Sequence, residues 1–84
     1  MSYSVAWTND ALFSLAAIWL RAWDRQAVTS AQVAIDRALG ENPLGNGRHV
    51  SEGLYAIDVP PLRAQFEISD SARIVTVVSV RELP

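Results

Sequence analysis

From Gly53 to Arg81 the chain reads GLYAIDVPPLRAQFEISDSARIVTVVSVR, and this stretch restricts the fold more than any other. Within LRAQFEIS, Leu62, Ala64, Phe66 and Ile68 share one side of an extended backbone, while Arg63, Gln65, Glu67 and Ser69 share the other. A two-residue period of this kind marks a half-buried strand. Pro60 and Pro61 donate nothing to a ladder and separate it from the apolar run before it; the turn residues Ser69 to Ala72 separate it from the run after it. The spacing therefore predicts three consecutive strands. The first, Arg48 to Val59, starts ragged and becomes regular at Leu54. The last, Arg73 to Arg81, carries Ile74, Val75, Val77, Val78 and Val80, and is apolar on both parities like a central strand covered on both faces.

Such a sheet needs its apolar side covered, and the first half of the chain supplies the cover. Tyr3 to Trp7 alternates and reads as a short leading strand, with Trp7 anchoring it to the core. A helix capped at Thr8 or Asn9 runs to about Trp23, with Asp10 in its first turn where the helix dipole favours negative charge. Leu12, Leu15, Ala16, Trp19 and Trp23 form its apolar stripe, and Phe13, Ala17, Ile18 and Leu20 add apolar surface outside it. Two readings of that excess stay open: a helix sandwiched between sheet and second helix, or a patch that awaits a partner. The second helix is expected to begin at Thr29, with Thr29 and Gln32 as a capping box and Val28 and Val33 as a hydrophobic staple. Ala31, Ala34, Ile35, Ala38 and Leu39 give it a narrow stripe, and Gly40 and Pro43 end it. The order is β-α-α-β-β-β. It describes one α+β domain over residues 1–84, a helical hairpin packed on one face of a small, mainly antiparallel twisted sheet.

Composition narrows the function classes. Seven arginines and no lysine stand against nine acidic residues, for a net charge of −2. A chain that grips nucleic acid through many phosphates is usually strongly basic, so any contact with RNA or DNA must rest on a few placed arginines. There is no cysteine, hence no disulfide frame and no zinc–thiolate site, and no cofactor or metal is indicated. An 84-residue chain buries only a little over about 60% of its unfolded surface, which makes a partner chain or self-association a source of added stability. The most apolar run, Ala11 to Leu20, is shorter than the roughly 20 residues a membrane span needs, and no signal peptide is apparent. No membrane role is expected, and the cytoplasm is the expected location.

Taken in order, Val5 to Thr8 (VAWT), Leu39 to Pro43 (LGENP), Glu52 to Ile57 (EGLYAI), Leu62 to Ile68 (LRAQFEI) and Ile74 to Val80 (IVTVVSV) resemble the RelE/ParE superfamily. These are toxins of bacterial type II toxin–antitoxin systems, often described as plasmid-stabilisation proteins. The resemblance implies a growth-arresting protein held silent by a cognate antitoxin. RelE-like members act on the ribosome as mRNA endoribonucleases, and ParE-like members inhibit DNA gyrase without hydrolytic chemistry. In the RNase branch an arginine on the strand matching Arg63 contacts phosphate near the scissile bond, and a second, matching Arg81, stabilises the transition state. The RNase branch also carries lysines on the preceding strand and an acid–base group in a C-terminal tail. Here the stretch from Glu52 to Val59 holds only Glu52 and Asp58 as charges, and Glu82, Leu83 and Pro84 follow Arg81.

The residues themselves admit more than one role. Arg63 offers a permanently charged fork suited to phosphate, and equally to an ion pair with Glu67 or with an acid on a neighbouring strand. Arg81 is a second phosphate ligand or a solvated surface residue. His49 is the single histidine and the one ready proton carrier near neutral pH, with Glu52 nearby in sequence as a base. Trp19, Leu20 and Trp23 are either core or a partner-binding face for the antitoxin or for a second copy in a homodimer. Tyr55 alternates with Ile57 and is expected to pack.

Overall fold

The structure, a computed structural model, describes residues 2–84. Strand β1 (Ser4–Trp7) leads into helices α1 (Asn9–Arg21), α2 (Arg25–Glu41) and the single turn α3 (Pro43–Asn46). Strands β2 (Arg48–Ser51), β3 (Leu54–Val59), β4 (Leu62–Ser69) and β5 (Ile74–Glu82) complete the chain. They form one sheet in the order β1-β5-β4-β3-β2, with β1 parallel to β5 and every other pairing antiparallel. The α+β architecture and the mainly antiparallel sheet are as the pattern predicts.

Alternation along β4 works as expected: Leu62, Ala64 and Phe66 are completely buried against the helices. Removing a side chain of this size from water stabilises a fold by about 1.5–3 kcal/mol. From the helices, Ala11, Leu15 and Ile18 of α1 and Val28, Ala31, Ile35 and Leu39 of α2 fill the same core. Trp7 is tied in by its indole N–H, which donates to Asp36 Oδ1 of α2 at 2.7 Å. Tyr55 packs too, its ring stacked on Phe66 with centroids 5.8 Å apart.

Several local expectations give way. Arg48 to Val59 is not one ragged strand but a hairpin, β2 and β3, turned at Glu52 and Gly53. Gly53 has φ +74°, the left-handed conformation that such a turn demands and that glycine adopts without a Cβ penalty. Strand β5 is flanked by β1 and β4, but its two apolar parities have a different cause. Gln65 pairs with Ser79 and Phe66 with Val77, which leaves Val78 unpaired in a bulge. The extra residue flips the alternation, so Val75, Val77 and Val80 all reach the same core.

The helix boundaries shift as well. Helix α1 ends at Arg21 rather than Trp23, where Arg25 Nε and Nη2 donate to the carbonyls of Trp19 and Leu20 at 3.1 and 2.9 Å. A side-chain guanidinium thereby satisfies carbonyls that a continuing helix would have bonded. Helix α2 starts five residues earlier than the capping box suggests. Asp24 is its cap, accepting from the Ala27 N–H at 3.0 Å, and Thr29 lies inside, its hydroxyl donating to the Arg25 carbonyl. The earlier start buries Val28 in the core, while Val33 of the expected staple stays exposed. Gly40 belongs to the last helical turn, and its carbonyl accepts the Tyr3 N–H at 2.7 Å, tying α2 to the start of β1.

Two glycines make a test of this packing. A Cβ on Gly47 would stand 2.5 Å from Cζ of the buried Phe66 and 3.0 Å from the Pro43 carbonyl, so Gly47→Ala should destabilise by about 1–3 kcal/mol. At helical Gly40 the nearest atom would be the Tyr3 carbonyl at an ordinary 3.5 Å, and Gly40→Ala should be neutral or stabilise by up to about 1 kcal/mol. Urea unfolding of the two variants beside the parent measures both.

Candidate functional site

Because the helices cover one face of the sheet, the polar residues of the alternating strands line the other. Register brings them into rows. Asp58 of β3 pairs with Arg63 of β4, and Arg63 pairs in turn with Arg81 of β5. In the next row Arg48 of β2 pairs with Ala56, Ala56 with Gln65, and Gln65 with Ser79, whose hydroxyl donates to Gln65 Oε1 at 2.9 Å. The bulge at Val78 is what turns Arg81 to this face, since an unbroken alternation from Val77 would send it to the core side.

The centre of the surface is a carboxylate shared by two guanidinium groups. Arg63 Nε donates to Asp58 Oδ1 at 2.8 Å and Nη2 to Oδ2 at 3.1 Å, a bidentate fork. Arg48 Nη1 reaches Asp58 Oδ2 at 3.2 Å from the neighbouring strand. Hydrogen bonding from Arg63, aided by Arg48 and opposed by partial desolvation, holds the Asp58 carboxyl below its ordinary value; the same contact raises Arg63. Arg81 is exposed and has no ion-pair partner among the described residues. Three arginines and one aspartate thus share the site and leave two positive charges uncompensated. The acidic partner of Arg63 is Asp58 across the strands, not Glu67 along its own.

The structure brings Arg63 and Arg81 together and separates the other two candidates from them. His49 pairs with Tyr55, whose ring it meets edge-on with centroids 5.5 Å apart, so it stands beyond the core side of the sheet. Glu52 sits in the turn at the tip of the β2–β3 hairpin, the end of β3 remote from Asp58. Arg48 and Asp58 are the members that the sequence reading passed over. The signal for them was parity: with β2 recognised as a strand paired to β3, Arg48 and His49 must face opposite ways.

A second surface lies on the helices. Leu12, Ala16 and Trp19 of α1 line a groove of about 520 Å³ with Val28, Thr29 and Gln32 of α2. Leu12 and Leu20 are exposed along it, Phe13 is exposed in a neighbouring hollow with Leu12 and Ala16, and Trp23, beyond the helix end, is fully exposed. Trp19 is half covered, with the Arg25 guanidinium 4.7 Å over its ring. The core face of α1 is Ala11, Leu15 and Ile18, so the apolar stripe expected from Leu12 to Trp23 is largely a surface stripe.

The shared carboxylate yields a sign-defined pH dependence. A folded-state carboxyl value below the unfolded one means stability that is present above the unfolded value and lost as pH falls through the folded one. In a carboxyl-carbon NMR titration, Asp58 should titrate below ordinary aspartates, and Arg63→Ala should move its midpoint upward. A midpoint unmoved by Arg63→Ala would refute the coupling.

Comparison with known proteins places the architecture. No protein-family model matches the chain, and no curated protein matches its sequence. Solved structures match along its whole length. The toxin–antitoxin complex RelBE2 from Mycobacterium tuberculosis contains a chain superposing with a TM-score of 0.83 at 17% identity, over 99% of this chain and 93% of that one. The chromosomal ParDE system of P. aeruginosa gives 0.73 at 16% identity, over 99% and 98%. The intact E. coli RelBE complex gives 0.68 at 18% identity, over 99% of both chains. Superposing over nearly the whole of both chains, this chain has the fold seen in the RelE and ParE toxin structures.

Proposed function

We propose that this chain is the toxin of a type II toxin–antitoxin module, with its uncovered sheet face engaging RNA phosphates. The observation that carries the reading is the cross-strand pairing of Arg63 with Arg81 on the one sheet face the helices leave open, within a fold shared with RelE. Two adjacent guanidinium groups on rigid strands suit a phosphodiester whose negative charge grows during cleavage. In such a cleavage the RNA 2′-oxygen bonds to phosphorus, the bond to the 5′-oxygen breaks, and one proton leaves the 2′-hydroxyl while another reaches the departing oxygen. Arg63 and Arg81 would stabilise the charge between these events, and the proton transfers would take place on the ribosome that presents the message.

A second reading has its own observation. Neither His49 nor Glu52 stands beside Arg63 and Arg81, and the carboxylate that does, Asp58, is held in its charged form by two arginines. That arrangement favours a toxin that binds without hydrolysing, as a ParE-like gyrase inhibitor or a protein-binding module does.

The antitoxin would cover the groove between α1 and α2, with Trp19 and Leu20 at its rim and the exposed Trp23 beyond the end of α1. An apolar helix face of this kind suits a segment that folds as it binds. All of this describes a protein of the cytoplasm, and among the described residues no helix is long and apolar enough to cross a membrane.

Induced expression of the chain alone should arrest growth and generate new mRNA ends, and Arg63→Ala, confirmed folded, should reduce cleavage by about 10²–10³-fold. Arrest by both proteins without new ends would favour the binding inhibitor, and no arrest by the folded parent would sink the toxin reading. Leu20→Asp should spare arrest but abolish rescue by the antitoxin. A stable homodimer of the parent would instead assign that face to a second copy.

A further inference from the structure

The sheet face holds one group that a simple phosphate site would not contain. Asp58 presents both carboxylate oxygens to the Nε/Nη2 edge of Arg63, the edge an arginine offers to a phosphate in bidentate contact. It draws in Arg48 as well, from the edge strand β2. The cluster is not a buried strut: the side chains of Arg63, Asp58 and Arg48 are 26%, 32% and 50% exposed. Ion pairs this open contribute little to folding and open at small cost. Arg81 lies beside Arg63 in register and stays unpaired among the described residues.

We propose that Asp58 is a resident competitor on a three-arginine phosphodiester site, a carboxylate that occupies Arg63 and Arg48 until an RNA phosphate displaces it. The proposal rests on reading the open face as an RNA-phosphate surface and adds two residues to it, Arg48 as a third ligand and Asp58 as a brake. The incoming phosphate takes over the Arg63 fork, with Arg81 and Arg48 on either side. The freed carboxylate then lies next to the phosphate and repels it. Affinity for any single RNA strand is therefore held down, and tight engagement needs contacts beyond the phosphates. That matches a chain of net charge −2, which lacks the broad positive surface of a general RNA binder.

The test is fluorescence anisotropy of the whole chain with a labelled single-stranded RNA decamer at several salt concentrations. Removing one negative charge beside a bound phosphate should tighten binding about 3- to 10-fold in Asp58→Asn. The slope of log affinity against log salt should steepen by about 0.7. Asp58→Ser, which removes the charge without adding an amide donor, should do the same; far-UV circular dichroism confirms that each variant is folded. Arg48→Gln should weaken RNA binding in the Asp58→Asn background. Equal binding by parent and both Asp58 variants, with Arg63→Gln still weakening it, would overturn the competitor and leave the RNA surface standing. Weaker binding by both Asp58 variants would also overturn it, since Asp58 would then be positioning Arg63. No RNA binding by any of the folded proteins would remove the surface reading and the proposal together.

Discussion

One unpaired residue, Val78, decides which way the end of the last strand faces. Val75 and Val77 are committed to the core by their pairing with Ile68 and Phe66, and Val80 fills the same core opposite Ala64. Strict alternation cannot satisfy all three, because Val80 would fall on the opposite side from Val77. The bulge reconciles them. Its consequence for function is that Arg81 pairs opposite Arg63 and is not turned into the core. Core packing and the placement of a charged pair are thus settled by the same irregularity.

The molecule divides its two layers by chemistry. Leu62, Ala64 and Phe66 bind the sheet to the helices, and the alternate residues of the same strands are left to carry charge. The helical layer is the reverse: its inner side is consumed by the core, and its outer side still shows Leu12, Phe13 and Leu20. A small domain cannot bury everything its composition offers, since its surface is large for its volume. The result is a polar sheet face suited to phosphate and an apolar helical face suited to a folding segment of another protein. These are separate surfaces, so a partner on the helices need not touch the arginines to be held.

Much of this was legible in the sequence. The period of two in LRAQFEIS placed Arg63 on the polar side of a strand, and helical spacing with turn residues located the hairpin that covers the sheet. What escaped were choices between local signals of similar strength. Asp24 and Thr29 are both good caps, and burial of Val28 selects the earlier one. Apolar residues on both parities of β5 look the same for a doubly covered strand as for a bulged one, and only the pairing partner tells them apart. Gly53 carries the β2–β3 turn, and the ragged stretch from Arg48 concealed both that turn and a short strand. Without that strand the facing of Arg48 and His49 was unreadable, and the acid beside Arg63 had no address until register joined Asp58 to it.

The central claim is that the open sheet face, and not the helical face, meets RNA. Arginine Nε–Hε resonances in a nitrogen-15 NMR spectrum report on it directly, because the chain has seven arginines and no lysine to confuse the contact. On addition of a short single-stranded RNA, the signals of Arg48, Arg63 and Arg81 should shift together, while those of Arg25 and Arg37 on α2 stay in place. Shifts confined to Arg25 and Arg37, or uniform small shifts of all seven, would contradict the account.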